Sequence, residues 1–357
     1  MNKIRVLVII EGIREDYMSD MIWLALYKDN DIEFRSNIYP NYFFKNNINS
    51  KKSRVHTLYN KLDSSMIKKN LNKNNLLKTI KNKYYDFIIY PSIRRCNLLF
   101  DEVIKIYDFN KVIAIDGEDD PCISIKYIDK SIYFKRELLE FYKYKNIKPI
   151  SFFLPKNILE FVNKYNHNIK KKYLLAHCDP RDRTTYIYDQ EIDYYKQYSE
   201  SFFAFTKSKG GWDCLRHYEI LASGSVPFFK DIEHKPRYTM MNYPLNLQLQ
   251  ANKIFKRQKE NILCEKDISL YNTIRNDFID WQYQESLNYG SKLLRDILKN
   301  NKLLKSNKKL NLLNFLELKI LNLISILIWS WNQASTSKQL YKKMARCFYF
   351  IYLRFIN

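Results

Sequence analysis

Short apolar runs alternate with amphipathic stretches along the first part of the chain. Residues 4–10, 86–90, 112–115, 131–134 and 150–154 are near-continuous apolar segments that predict buried strands, and residues 33–38 are a further candidate strand. Between them, residues 16–27, 57–82 and 98–107 carry helix-like spacing. Covered strands alternating with helices predict a parallel sheet. Near residues 155–170 the chain turns polar and basic. A second series then begins, with strands over 173–177, 201–206 and 226–229, helices over 191–199 and 213–223, and a long helical region over 254–299.

This pattern divides the chain into a first α/β lobe over 1–165, a second over 166–300 and a helical tail over 301–357. The tail has its own character. Residues 310–331 are rich in Leu and Ile and include Trp329 and Trp331, with Glu317 and Lys319 interrupting the run. Residues 346–356 set Phe348, Tyr349, Phe350, Tyr352 and Phe355 among basic side chains. Such a tail is either an in-plane amphipathic anchor on anionic lipid or a set of helices packing back across the lobes. No stretch of about 18 uncharged apolar residues stands out as a transmembrane helix. The apolar run at residues 6–10 is too short for a signal-peptide core.

Composition adds to this picture without changing it. The 357 residues are 46% hydrophobic and 27% charged, which is globular rather than disordered. A formal net charge of +22 favours anionic partners: nucleic acid, a membrane surface or phosphorylated substrates. Lys, Asn, Ile and Tyr are abundant throughout, so part of the charge is background. Six cysteines occur without a C-x-x-C pair, which argues against a zinc site and a disulfide framework and fits a reducing cytoplasm.

Chemistry concentrates in one segment. Three of the six glycines, Gly210, Gly211 and Gly224, fall between residues 201 and 229. The order there is strand, glycine loop, helix, tight stop, strand. The paired glycines permit close backbone approach, Asp213 is placed to cap the helix, and Gly224 to end it in the left-handed conformation. A glycine loop feeding a helix N-terminus suits an anion, and Lys207, Lys209 and Arg216 add positive charge. Arg216 and Glu219 are three residues apart and share a helix face. Glu219 is placed to accept hydrogen bonds from ribose hydroxyls, as acidic residues do at other nucleotide sites.

The run from Arg216 through Glu219, Ala222 and Gly224 to Val226-Pro227-Phe228-Phe229 resembles the donor-lobe motif of GT-B glycosyltransferases, notably the exostosin-like and group 1 families. The likeness covers about 30 residues directly. It implies an α/β, GT-B-like fold with two Rossmann-like lobes facing a cleft and a helical C-terminal tail. It also implies a sugar transferase in cell-surface polysaccharide or glycoconjugate synthesis, with Glu219 as the nucleotide-sugar ligand. The partners implied are a nucleotide-sugar donor, a glycan or lipid-linked acceptor and an anionic membrane surface, with no specific nucleic acid. The enzyme would lie in the cytoplasm at the inner face of a membrane. No cofactor and no metal site is required; a divalent cation is compatible with the chemistry. One departure marks the limit of the likeness. Trp212 and Gly211 stand where retaining members carry a second Glu.

Other positions fit the same reading. Arg181 and Arg183 follow the first strand of the second lobe and are suited to clamp phosphate. Lys235 follows the strand at 226–229. Asp116, Glu118 and Asp119 sit with Asp120 at the end of a first-lobe strand, where ligands of open α/β sheets gather. One of them, Asp116 first, is a candidate general base. Lys135 and Arg136 end another strand and are candidate anion ligands. The chain lacks G-x-x-x-x-G-K-[ST] and G-x-S-x-G strings, which weakens a phosphotransferase or hydrolase of those types. A basic nucleic-acid-binding protein, or another nucleotide-dependent α/β transferase, is the alternative reading, although no known recognition module is present.

Overall fold

The computed structural model describes residues 3–45, 57–142, 147–164, 169–258, 263–287, 289–300 and 312–333. The first lobe runs β1 (Ile4–Val8), α1 (Tyr17–Lys28), β2 (Ile32–Ser36), α2 (Lys73–Lys81), β3 (Phe87–Tyr90), α3 (Phe100–Ile106), β4 (Val112–Asp116), α4 (Ile125–Ile128), β5 (Ile132–Lys135), β6 (Ile147–Pro149) and α5 (Lys156–Asn163). Its six strands are parallel, in the order β2-β1-β3-β4-β5-β6. Alternation along β1 explains the layering. Val6 and Val8 enter one apolar cluster with α1 and α5, and Leu7 enters another with α2 and α3. Apolar residues at successive positions are what a sheet covered on both faces demands.

The second lobe runs β7 (Tyr173–Leu175), α6 (Glu191–Ser199), β8 (Ser201–Thr206), α7 (Leu215–Ala222), β9 (Val226–Phe229), α8 (Leu245–Lys256) and α9 (Glu265–Ser286). Its three strands are parallel in the order β7-β8-β9. The expected α/β architecture, with two parallel sheets and a helical C-terminal segment, is what the chain adopts. Two further helices follow. α10 (Tyr289–Asn300) returns to pack on α1, where Gly290 lies against Leu26. α11 (Leu312–Gln333) lies along the first lobe and touches α4.

Several elements differ from expectation. The strand expected over 150–154 is shifted to 147–149, and residues 150–154 are irregular. There the Phe152 amide is taken by the Asp213 carboxylate at 2.6 Å, so it makes no ladder bond. The helix expected over 57–82 contracts to α2, capped by Asn72. Asp213 does not cap α7: Cys214 is the N-cap residue and makes no side-chain cap bond. Gly224 does end α7 in the left-handed region, at φ 73°. By length and composition, Leu313–Ser330 within α11 suffices to cross a membrane, with Glu317 and Lys319 inside the window. Residues 334–357, including the aromatic run 346–356, lie outside the described residues.

Candidate functional site

Strand order directs attention to one end of the first sheet. β1 has β2 on one side and β3 on the other, so the chain changes direction between β1 and β3, and open α/β sheets bind ligands beyond such a point. The segments leaving β4 and β5 there meet the second lobe. Arg136 donates to the Asp213 carbonyl, Glu137 accepts from the Asp213 amide at 3.0 Å, and Asp213 accepts from Phe152 and from Tyr218 at 3.0 Å. Farther along, Lys61 pairs with Glu191 at 2.7 Å and Thr57 donates to Glu219.

The first-lobe carboxylates do not face an empty cleft, which corrects the expectation for Asp116. Its side chain has no solvent exposure. It accepts from Lys135 at 2.9 Å, Arg94 at 2.9 Å and Tyr133. Burial acts to raise its pKa, but the charges of Lys135 and Arg94 outweigh that and hold it below the ordinary carboxylate range. A group so enclosed and so acidic is a poor base. Glu118 pairs with Arg95 at 2.6 Å, and Asp120 is held by both terminal nitrogens of Arg94. Asp119 pairs with Arg136 yet keeps 58% of its side chain exposed. Lys135 and Arg136 are likewise not free anion ligands. Both are buried. Lys135 also donates to the Glu118 carbonyl at 3.1 Å, and Arg136 to the Gly117 carbonyl at 2.9 Å, with its guanidinium 4.5 Å from the Phe152 ring centre.

The glycine bend is a second correction. Neither Gly210 nor Gly211 has positive φ. Their small size serves packing instead: a Cβ on Gly210 would collide with Asp119, and one on Gly211 with Glu137. The Gly210 carbonyl also accepts from the Trp329 indole of α11 at 2.6 Å. Two carboxylates therefore occupy the space in which a pyrophosphate was expected. Burial pushes Glu137 up to about 7, against the opposing charge of Arg136.

The second lobe offers a different environment around α7. Glu219 is buried rather than on the surface, and it does not pair with Arg216. It accepts from Thr57 and, at 3.0 Å, from Tyr194. Burial raises its pKa, while those two hydroxyls and Arg216 act the other way. Tyr17 of the first lobe is within electrostatic reach of Glu219. Arg216 is flanked by Cys214, Tyr186, Tyr194 and Tyr198, and its Nη1 is buried without a hydrogen-bond partner. Burial works against its charge, but those neighbours outweigh it and leave its pKa above the ordinary value. His217 is a strut, bonded to Thr206 and to the Trp212 carbonyl at 2.9 Å each, and burial lowers it to about 3.

The remaining predicted cations are spread around this point. Lys207 and Lys209 are exposed beyond β8. Arg181 binds Asp179 at 2.9 Å and lies 3.8 Å from the Phe205 ring centre, with Lys207 in electrostatic reach of the same aspartate. Arg183 is exposed in the following turn. Lys235 donates to the Thr239 carbonyl at 2.9 Å and lies toward Asp213. The structure thus gathers Arg216 and Glu219 on one helix, and Arg181 and Lys207 at the ends of adjacent strands. Among the described residues no group of three or more His, Cys, Asp or Glu side chains is arranged to hold a metal ion. A crevice of about 150 Å³ opens elsewhere between the lobes, bordered by Ile150, Met241, Glu285 and Lys292, and none of the predicted site residues lines it.

Sequence reasoning missed Thr57, Tyr194 and Arg94. Arg94 was within reach of the same strand-end argument that singled out Asp116, since it follows β3 as Asp116 ends β4. Thr57 carries no local signal, because its role depends on a partner 162 residues away.

No family model matches the chain, and no curated protein matches it either. Among solved structures, an alpha-glucosyltransferase in complex with UDP and a 13-mer DNA containing a HMU base is similar at 13% sequence identity and a TM-score of 0.43, covering 84% of this chain and 100% of that chain.

Proposed function

We propose that the chain is a two-lobed glycosyltransferase of the GT-B type that takes a nucleoside diphosphate sugar as donor. The observation that carries this reading is the buried, unpartnered Nη1 of Arg216. A charged donor left without an acceptor in a buried setting is costly, and an anionic ligand relieves that cost. Arg216 lies one turn before Glu219 on α7, beside the carboxyl ends of β7 and β8, where Arg181 and Lys207 add charge. Guanidinium chemistry fits a phosphate oxygen, and a carboxylate within hydroxyl reach fits a ribose.

In the reaction an acceptor hydroxyl oxygen bonds to the anomeric carbon while the bond from that carbon to the diphosphate oxygen breaks. Negative charge grows on the leaving diphosphate, where Arg216 and Lys207 stabilise it. Asp119, partly exposed next to Gly210, is the first-lobe carboxylate placed to take the acceptor proton. Thr57 now supplies Glu219 with the kind of hydroxyl that a ribose would supply, so donor binding would exchange one O–H donor for another. The acceptor proposed is a glycan or lipid-linked hydroxyl. Lys209, Arg183 and Lys235 stand as outer donor contacts, Gly210 and Gly211 as a joint that must part for a pyrophosphate to reach the bend. The scheme needs no cofactor.

The test is calorimetric titration with UDP, GDP, ADP, CMP and their sugars. One nucleotide should bind saturably to the parent chain and lose affinity in Arg216→Ala. Absence of binding by all of them, or equal binding by the variant, removes the reading.

A further inference from the structure

α11 is built inside out. Its described exposed positions are Leu313, Phe315, Leu316, Glu317, Ile320, Ile324, Leu327 and Ile328: seven apolar residues and one charge. Leu313, Ile320 and Leu327, spaced seven apart, are 76%, 57% and 55% exposed. The face turned to the protein holds Leu318 and Ile326, but also the polar groups of Asn322, Ser325 and Trp329. Asn322 donates to the Ile123 carbonyl at 2.9 Å and accepts from the Ile123 amide at 2.9 Å and from the Tyr142 hydroxyl at 2.7 Å. Ser325 is 2.6 Å from the same tyrosine hydroxyl, and Trp329 donates to Gly210. A helix packed on a protein in water normally turns such groups outward and its apolar stripe inward. The reversed arrangement fits an apolar medium on the outer side.

We infer that this outer stripe of α11 seats the protein on an anionic lipid bilayer, with the helix lying in the plane of the surface. Length and composition allow α11 to cross a membrane, but Asn322, Ser325 and Trp329 tie its residues 322–329 to the first lobe and the glycine bend. A helix held in that way meets lipid side-on. Charge selects the kind of bilayer. The sequence before α11 holds Lys299, Lys302, Lys305, Lys308 and Lys309, and the sequence after it Lys338, Lys342, Lys343 and Arg346, in a chain of net charge +22. Cationic flanks around an apolar stripe complement acidic headgroups. The bonds from α11 to Gly210 and to the segment following Asp120 place the bilayer beside the joint between the lobes.

The test is flotation of the full chain with vesicles of phosphatidylcholine alone and of equimolar phosphatidylcholine and phosphatidylglycerol. Binding to the anionic vesicles should exceed binding to the neutral ones by roughly tenfold or more and weaken with added salt. Leu316→Asp/Ile324→Asp should reduce it by about tenfold or more, and the milder Leu316→Gln/Ile324→Gln by less. Both pairs are exposed, so the melting temperature and the nucleotide affinity should stay as in the parent. Three results overturn the inference: a chain that stays unbound on anionic vesicles, variants that float as well as the parent, or a soluble dimer that the variants dissociate. The last would make a second copy the occupant. Failure here leaves the nucleotide titration untouched, so the two readings are separable.

Discussion

Two clusters of charge sit at the meeting of the lobes, and they are finished to different degrees. Around Asp116 every formal charge has a partner: Lys135 and Arg94 on Asp116, Arg94 on Asp120, Arg95 on Glu118 and Arg136 on Asp119 and Glu137. Around α7 the account is open. Arg216 has a buried nitrogen with nothing to bind, and Glu219 is satisfied only by hydroxyls. Paired buried charges hold one geometry, and removing either partner strands the other. An unpaired buried donor contributes nothing to the resting fold and gains a partner when a ligand arrives. Apart from the half-exposed Asp119, the first cluster is therefore a joint, and the second is a receptor.

The largest effect that separates them is on stability. Asp116→Asn leaves the Lys135 ammonium buried without a counter-charge, and should cost about 3–5 kcal/mol of unfolding free energy. Urea unfolding should show a lowered midpoint with an unchanged slope. If Asp116 were instead a catalytic base, the variant would keep its midpoint and lose only turnover.

Next comes Arg216→Ala. A charge-assisted bond to phosphate is worth about 1.5–3 kcal/mol, or roughly tenfold to 150-fold in donor affinity. Stability should hold or rise, because the variant removes a buried orphan donor. A fall in melting temperature as large as that of Asp116→Asn would place Arg216 in the joint.

That the two clusters looked alike in the sequence has a physical cause. The apolar runs at 201–206 and 226–229 were legible to the residue, as was the helix at 191–199, because continuous burial and its polar flanks are local properties. Charge pairing is not local. Asp116 and Lys135 stand side by side because β4 and β5 pair in parallel with those two residues in register. Read separately, each looks like a free group at a strand end. The glycines mislead in the same way: Gly210 and Gly211 signal a close approach, but the chain alone does not say whether a ligand or Glu137 makes it.

Glu137 gives a smaller, pH-dependent contrast. Burial raises its pKa from an ordinary 4.5 to about 7, so the folded chain holds this proton more tightly than the unfolded one. Its contribution is therefore complete below about pH 4.5 and is lost as pH rises toward 7. Glu137→Gln should flatten the fall in melting temperature across that window. An unchanged profile would show that the joint does not titrate through Glu137.

The finest test concerns the hydroxyl that occupies Glu219. Thr57→Val keeps the shape of the side chain and removes its O–H, and should cost about 1 kcal/mol of stability as Glu219 loses one donor. If a ribose takes that place, the parent must break the Thr57 bond on binding and the variant need not. Donor affinity in Thr57→Val should then rise a few-fold, roughly the equivalent of one hydrogen bond, while Glu219→Gln should weaken it. Opposite signs at two residues that touch in the resting structure are difficult to obtain from damage to the fold, which would lower both. Equal loss in the two variants would instead make Thr57 and Glu219 a brace between the lobes, and would move the open site away from Glu219 to Arg216 alone.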